Sequence, residues 1–142
     1  MSHLAVSGIL ESALYVADLT LTADFYKRLF GFSILLKEDR MVALNVADKQ
    51  VLLLFKTGGS LNGAEYPGGR IPAHDGTGPV HMAFQIPLDD FEVWRERLET
   101  EGIGVESVVH ANKGKSIYFR DPDQHLVELA TPGLWNNLPG AS

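Results

Sequence analysis

Residues 8–16 alternate apolar and polar side chains in the manner of a half-buried strand, and Asp18, Thr20 and Thr22 follow as candidate helix caps. Leu21, Phe25 and Leu29 then recur at four-residue spacing, which predicts a helix with one buried stripe, stopped by Gly31. Three strand-like runs come next, around 33–38, 41–46 and 50–56. The short polar stretches between them, Asp39-Arg40 and Ala47-Asp48-Lys49, suit hairpin connections.

The order then recurs. Residues 79–86, PVHMAFQI, predict a strand, and residues 88–102 predict a helix ending at a glycine, with Phe91, Trp94 and Leu98 as its buried stripe. Further strands are predicted at 103–110, 115–120 and 125–130, with Asp121-Pro122-Asp123 as a turn. The chain thus reads strand, helix and three strands, twice over. We read residues 1–142 as a single domain made of a module at 8–57, a linker loop at 58–78 and a module at 79–132. The stretch 58–79 holds seven of the fourteen glycines and three of the seven prolines. A structureless connection of that length suggests a linker, a lid or a binding loop. The tail 131–142 is rich in Pro and Gly, and Trp135 within it is expected to pack on something.

Composition narrows the function classes. A net charge of −6 argues against non-specific binding to nucleic acid, which needs basic surface, and disfavours an anionic membrane. The absence of cysteine excludes disulfides, cysteine zinc sites and thiol nucleophiles. Glu11 interrupts the only apolar run near the N-terminus, and no stretch approaches the roughly 18–20 apolar residues of a membrane span. The expectation is a soluble, cytoplasmic protein.

Laying one module on the other exposes candidate chemistry. The apolar patterns of the first strands align Glu11 with His81, Ala13 with Ala83, Leu14 with Phe84 and Val16 with Ile86. Those of the last strands, VLLLF at 51–55 and LVELA at 126–130, align Leu53 with Glu128. Packing about a pseudo-twofold axis would bring positions 11, 81, 53 and 128 together. Strand alternation gives Glu11, Ala13 and Tyr15 one face, as it does His81, Ala83 and Gln85, and Leu126, Glu128 and Ala130. The opposite face is apolar throughout and suits packing under the helices. Burying two carboxylates and an imidazole without partners is costly, and a divalent cation removes that cost. Each residue has a plainer reading: Glu128 as a surface glutamate on an edge strand, His81 as a satisfied core histidine, Glu11 as a solvated strand start. Tyr15, Gln85 and Tyr118 are candidate hydrogen-bonding groups in a pocket, against a packing role. His74, in the linker, is a candidate substrate contact or proton carrier, against an exposed loop histidine. His125 is read as a surface residue. His110 and His3 carry no assignment, and Arg70 alone is too little for an anion site.

The pattern ESALYVADL…FYKRLFGF, then GPVHMAFQI, then SIYFRDPDQHLVELATP resembles the vicinal oxygen chelate superfamily, the glyoxalase, bleomycin-resistance and ring-cleaving dioxygenase group. The match spans roughly residues 8–132, and YFRDPDQHLVEL is its most specific part. The resemblance implies an α+β fold of paired βαβββ modules forming an open, cup-shaped mixed sheet, and a homodimer, often with each site shared between subunits. It places the metal ligands on Glu11, His81 and Glu128, and a fourth glyoxalase I ligand at about Leu53, which cannot bind metal. Three protein ligands leave open positions for water or substrate. Glutathione-dependent glyoxalase I carries an arginine where Tyr15 stands and an asparagine where Thr57 stands, which argues against glutathione here. Ring-cleaving members use two histidines and one carboxylate. The Glu-His-Glu set suits Mn²⁺, Fe²⁺, Co²⁺, Ni²⁺ or Zn²⁺. Fosfomycin-resistance members share the YF-DPD turn but usually begin with histidine rather than glutamate.

The expectation is a metal-dependent lyase, isomerase or dioxygenase with one divalent ion per site, acting on a small molecule chelated through two oxygens, with Glu128 or Glu11 as general base. The alternative is a metal-free protein that binds a drug, as bleomycin-resistance members do. A non-catalytic interaction domain leaves the matched placement of Glu11 and His81 unexplained.

Overall fold

The computed structural model describes residues 4–139. Residues up to Thr77 form one compact unit and those from Gly78 a second.

In the first unit, strand β1 (Glu11–Val16) leads into helix α1 (Leu19–Phe30), followed by β2 (Ile34–Lys37), β3 (Met41–Val46) and β4 (Gln50–Lys56). Asp18 caps α1 by accepting the Leu21 N–H at 3.0 Å. Gly31 ends the helix in the left-handed region at φ 74°, where its N–H reaches the Lys27 carbonyl at 2.8 Å. The four strands form one sheet in the order β1-β4-β3-β2, with β1 and β4 parallel and the remaining pairs antiparallel. Leu14, Val16, Val42, Leu44, Leu52 and Leu54 are buried, as are Tyr26 and Leu29 of the helix.

The buried stripe of α1 differs from the expected one. Thr22, Ala23, Tyr26 and Leu29 are buried, whereas Leu21 is 57% exposed. Apolar residues at 19, 21, 25, 26, 29 and 30 outline two overlapping stripes. Tyr26 wins the buried face, edge-on to Phe25 and stacked on Phe30.

The expected structureless linker is partly built. Strands β5 (Ala64–Tyr66) and β6 (Gly69–Ile71) pair antiparallel within it, Tyr66 opposite Gly69 across Pro67-Gly68. Arg70 braces this hairpin, bonding Glu65 Oε1 and the Asn62 carbonyl, each at 2.6 Å.

The second unit repeats the plan with β7 (His81–Gln85), α2 (Phe91–Thr100), β8 (Ser107–Ala111), β9 (Gly114–Arg120) and β10 (Leu126–Ala130), in the sheet order β7-β10-β9-β8. Here β7 and β10 are the parallel pair. A 3₁₀ turn at Leu88–Asp90 precedes α2, which closes with the paired bonds of a Schellman motif, Gly102 N–H to Glu99 O at 3.0 Å and Ile103 N–H to Leu98 O at 2.8 Å. Phe91 and Leu98 of the helix are buried, with Ile117, Phe119, Val127 and Leu129 of the sheet. Strand β8 begins four residues later than expected, because Gly102 and Gly104 keep the chain in turn and coil. Trp135 is 65% exposed rather than packed. Among the described residues no helix is long and apolar enough to cross a membrane.

Candidate functional site

The second sheet gathers polar side chains on the face away from its apolar core. Alternation on β7, β10 and β9 places His81, Ala83 and Gln85 beside Leu126, Glu128 and Ala130, and beside Ser116 and Tyr118. Glu128 stands in register between Ala83 and Tyr118. The small alanine leaves room, and Glu128 is nevertheless only 5% exposed. A carboxylate so buried needs partners. Ser116 Oγ donates to its Oε2, and His81 Nε2 lies 3.0 Å from its Oε1. His81 is about half exposed and stacks on Tyr118, with ring centroids 6.1 Å apart.

The other ring nitrogen fixes the meaning of that contact. His81 Nδ1 lies 3.0 Å from the Leu126 carbonyl, which can only accept, so Nδ1 carries the proton. In the neutral ring Nε2 then bears a lone pair aimed at a buried carboxylate oxygen. Two electron-rich atoms at 3.0 Å require a proton or a cation between them. An Nδ1–H held by a backbone carbonyl is also the arrangement that orients a histidine toward a metal. The donor set of His81 Nε2 and Glu128 Oε1 therefore fits a divalent ion.

Tyr118 is held above its usual pKa of 10.0, first by burial and then by the negative charge of Glu128; the Ser116 hydrogen bond opposes this. Its hydroxyl is thereby kept protonated, as a donor. Gln85 is exposed at the end of β7. Glu11 belongs to the first unit, exposed at the start of β1 opposite Val51. Among the described residues no three His, Asp or Glu side chains form a group.

The matching face of the first sheet is apolar beyond Glu11 and Asn45 at one end. Met41, Ala43 and Phe55 form a cluster there, with Tyr15, Val51 and Leu53 packed against it. Residues 58–77 run over it as a strap. His74 is half-buried: its Nδ1 lies 2.8 Å from Tyr15 Oη and its ring meets Phe55 edge-on at 4.5 Å. Its backbone N–H donates to the Ser60 carbonyl at 3.1 Å. Arg40, read in the sequence only as part of a turn, ties the strap down by donating to Ser60 Oγ at 2.9 Å and Tyr66 Oη at 3.0 Å. Thr57 Oγ1 is taken up by the Val16 carbonyl at 3.3 Å.

Two further residues belong beside these. Ser116 lies on the Tyr118 face of β9, which alternation alone indicates. His125 is not on the surface: it is 2% exposed, and its Nδ1 accepts the Val80 N–H at 3.0 Å. His110 is exposed on β8, and His3 lies outside the described residues.

With this geometry in hand, the chain matches the family described as the Glyoxalase/Bleomycin resistance protein/Dioxygenase superfamily over residues 2–129. It is 27% identical to the metallothiol transferase FosB of Bacillus licheniformis over 97% of this chain and 84% of that protein. Among solved structures it resembles a lactoylglutathione lyase from Agrobacterium tumefaciens, with a TM-score of 0.83 and 32% identity over 92% of this chain and 97% of that one. It also resembles a variant of the fosfomycin resistance protein FosX from Listeria monocytogenes, complexed with Mn(II) and 1S,2S-dihydroxypropylphosphonic acid. There the TM-score is 0.68 and the identity 25%, over 95% of this chain and 98% of that one.

Proposed function

The chain belongs to the Glyoxalase/Bleomycin resistance protein/Dioxygenase superfamily, and from that premise we propose that it is a divalent-metal-dependent enzyme of the glyoxalase type, acting on a small molecule that presents two neighbouring oxygens. The observation that carries this reading is the buried Glu128 carboxylate facing His81 Nε2 at 3.0 Å. The FosX relative, complexed with Mn(II) and a dihydroxy phosphonic acid, supports both the ion class and the substrate class.

His81 Nε2 and Glu128 Oε1 would hold the ion, and Glu11 is the third ligand that the family resemblance implies. When bound, a divalent ion supplies Lewis-acid polarisation of the substrate oxygens. The chain's own groups supply the rest. Ser116 fixes Glu128 Oε2, so that Oε1 faces His81. The Leu126 carbonyl fixes the His81 tautomer. Tyr118, kept as a phenol, offers a proton to a substrate oxygen. Gln85 lies on the same face of β7 as a further hydrogen-bonding group. Proton removal from substrate falls to a carboxylate, Glu128 or the exposed Glu11.

Only one histidine takes part, so lyase or isomerase chemistry suits the set better than oxidative ring cleavage. Tyr15 is bonded to His74 and Thr57 to Val16, which leaves neither for the charged end of a glutathione conjugate. The apolar cluster of Met41, Ala43 and Phe55 favours a second reading, capture of an apolar drug without metal, but that leaves the His81–Glu128 pair without a purpose. The same reading includes a homodimer, supported by edge strand β2, whose Ile34, Leu35 and Leu36 are all exposed.

The test is turnover of α-hydroxycarbonyl, catechol and diol-forming substrates by protein reconstituted with Mn²⁺, Ni²⁺ or Fe²⁺. Metal-dependent turnover that vanishes in His81→Ala is expected. Tight drug binding by metal-stripped protein, with no turnover under any ion, would select the second reading.

A further inference from the structure

The turn into β10 is built on two buried polar residues. Asp121 and His125 are each 2% exposed. Asp121 Oδ1 accepts the N–H groups of Asp123 and His125, both at 2.9 Å, and its carbonyl accepts the Gln124 N–H at 2.9 Å. Gln124 takes a φ of +67°, which folds the chain back. The side chain that follows this turn, His125, is buried.

The residue His125 meets is the one before His81. Its Nδ1 accepts the Val80 N–H at 3.0 Å, the Val80 carbonyl accepts the Leu126 N–H at 2.8 Å, and the Leu126 carbonyl accepts from His81 Nδ1 at 3.0 Å. Residues 125 and 126 thus grip residues 80 and 81 at three successive points. The first point fixes where β7 begins. The last fixes which nitrogen of His81 faces Glu128.

We propose that His125 is a positioning residue for His81: its side-chain acceptor anchors the Val80 amide, and so holds the His81 ring in the Nδ1–H form with Nε2 presented to Glu128. The inference rests on the reading of His81 as a metal ligand, and outer groups that orient a ligand commonly change metal affinity by about 10–100-fold.

The test uses the full chain. Mn²⁺ affinity is measured by calorimetry for wild type, His125→Leu, which removes the acceptor, and His125→Asn, whose Oδ1 replaces it. The His81 tautomer is read from ¹⁵N-histidine NMR of the metal-free proteins at a pH where the imidazole is neutral. The expected result is Mn²⁺ binding about 10–100-fold weaker in His125→Leu, near wild type in His125→Asn, with His81 in the Nδ1–H form in wild type and a tautomer mixture in His125→Leu. A folded His125→Leu protein with unchanged affinity and tautomer overturns the proposal. Should that variant not fold, absence of a hydrogen-bond coupling between the Val80 amide and His125 Nδ1 in wild type overturns it, as does weakened Mn²⁺ binding by folded His125→Asn. Wild type that binds no Mn²⁺ overturns the metal reading instead. The tautomer comparison then still decides the role of His125.

Discussion

Leu53 occupies in the first sheet the register position that Glu128 occupies in the second. Leu53 stands between Ala13 and Ala43, and Glu128 between Ala83 and Tyr118. One duplicated framework has therefore spent the same position in two ways. In the first unit it completes an apolar cluster under a strap, and in the second it holds a buried acid against a histidine. The chemistry of the proposed site follows from that divergence.

Ser116→Ala removes the donor to Glu128 Oε2 and leaves that buried oxygen without its hydroxyl partner. The change is small and leaves the β9–β10 ladder intact, so the fold should persist while Mn²⁺ affinity falls about 10-fold or more. Calorimetric titration beside a circular dichroism spectrum checks both halves. Unchanged affinity would mean that Ser116 does not orient the acid.

Tyr118 gives a pH signature in the metal-free protein. Its folded-state pKa lies above the 10.0 of an unperturbed phenol, so its contribution to stability is complete below pH 10.0 and is lost as pH rises through the raised value. A phenolate absorbance titration, taken as wild type minus Tyr118→Phe, should show a midpoint above 10.0. In a Glu128→Gln background the midpoint should move down yet stay above 10.0, because burial is the larger cause and Glu128 the next. A midpoint that ignores Glu128 would separate the two residues electrostatically.

Gly76 is pressed against the ring of Tyr15. A Cβ at this position would fall 2.3 Å from Tyr15 Cδ2, and the ring is held by its stack on Phe55 and its bond to His74. Gly76→Ala should destabilise the protein by about 1–3 kcal/mol through overpacking. Thermal unfolding should show this as a fall of several degrees in Tm. An unchanged Tm would mean that the strap does not lie on Tyr15 in solution.

Much of this was legible in the sequence because strand alternation is insensitive to detail. The alignment of Ala13 with Ala83 and of Leu53 with Glu128 across the modules is matched by the two parallel ladders, which pair Ala13 with Leu53 and Ala83 with Glu128. Family resemblance and register both point to His81 and Glu128 as neighbours. What stayed hidden depends on a few side chains overriding a pattern. Leu21 loses the buried face of α1 to Tyr26, a choice among competing stripes that spacing alone cannot make. The strap hides a hairpin because its strands are three residues each, and only the Pro67-Gly68 turn signals it. His125 reads as polar surface because it follows the polar turn Asp121-Pro122-Asp123-Gln124. It is buried because the Asp121 side chain closes the turn around it.

If Glu128 and His81 hold a divalent ion, metal stoichiometry will show it. Purified protein is stripped with chelator, reloaded with Mn²⁺, freed of excess and analysed for metal beside a Glu128→Gln variant, which keeps the shape and hydrogen-bonding capacity of the side chain but removes its charge. About one ion per chain is expected in wild type and none above background in Glu128→Gln. No bound ion in wild type under Mn²⁺, Ni²⁺ or Fe²⁺, or equal loading of the two proteins, would contradict it.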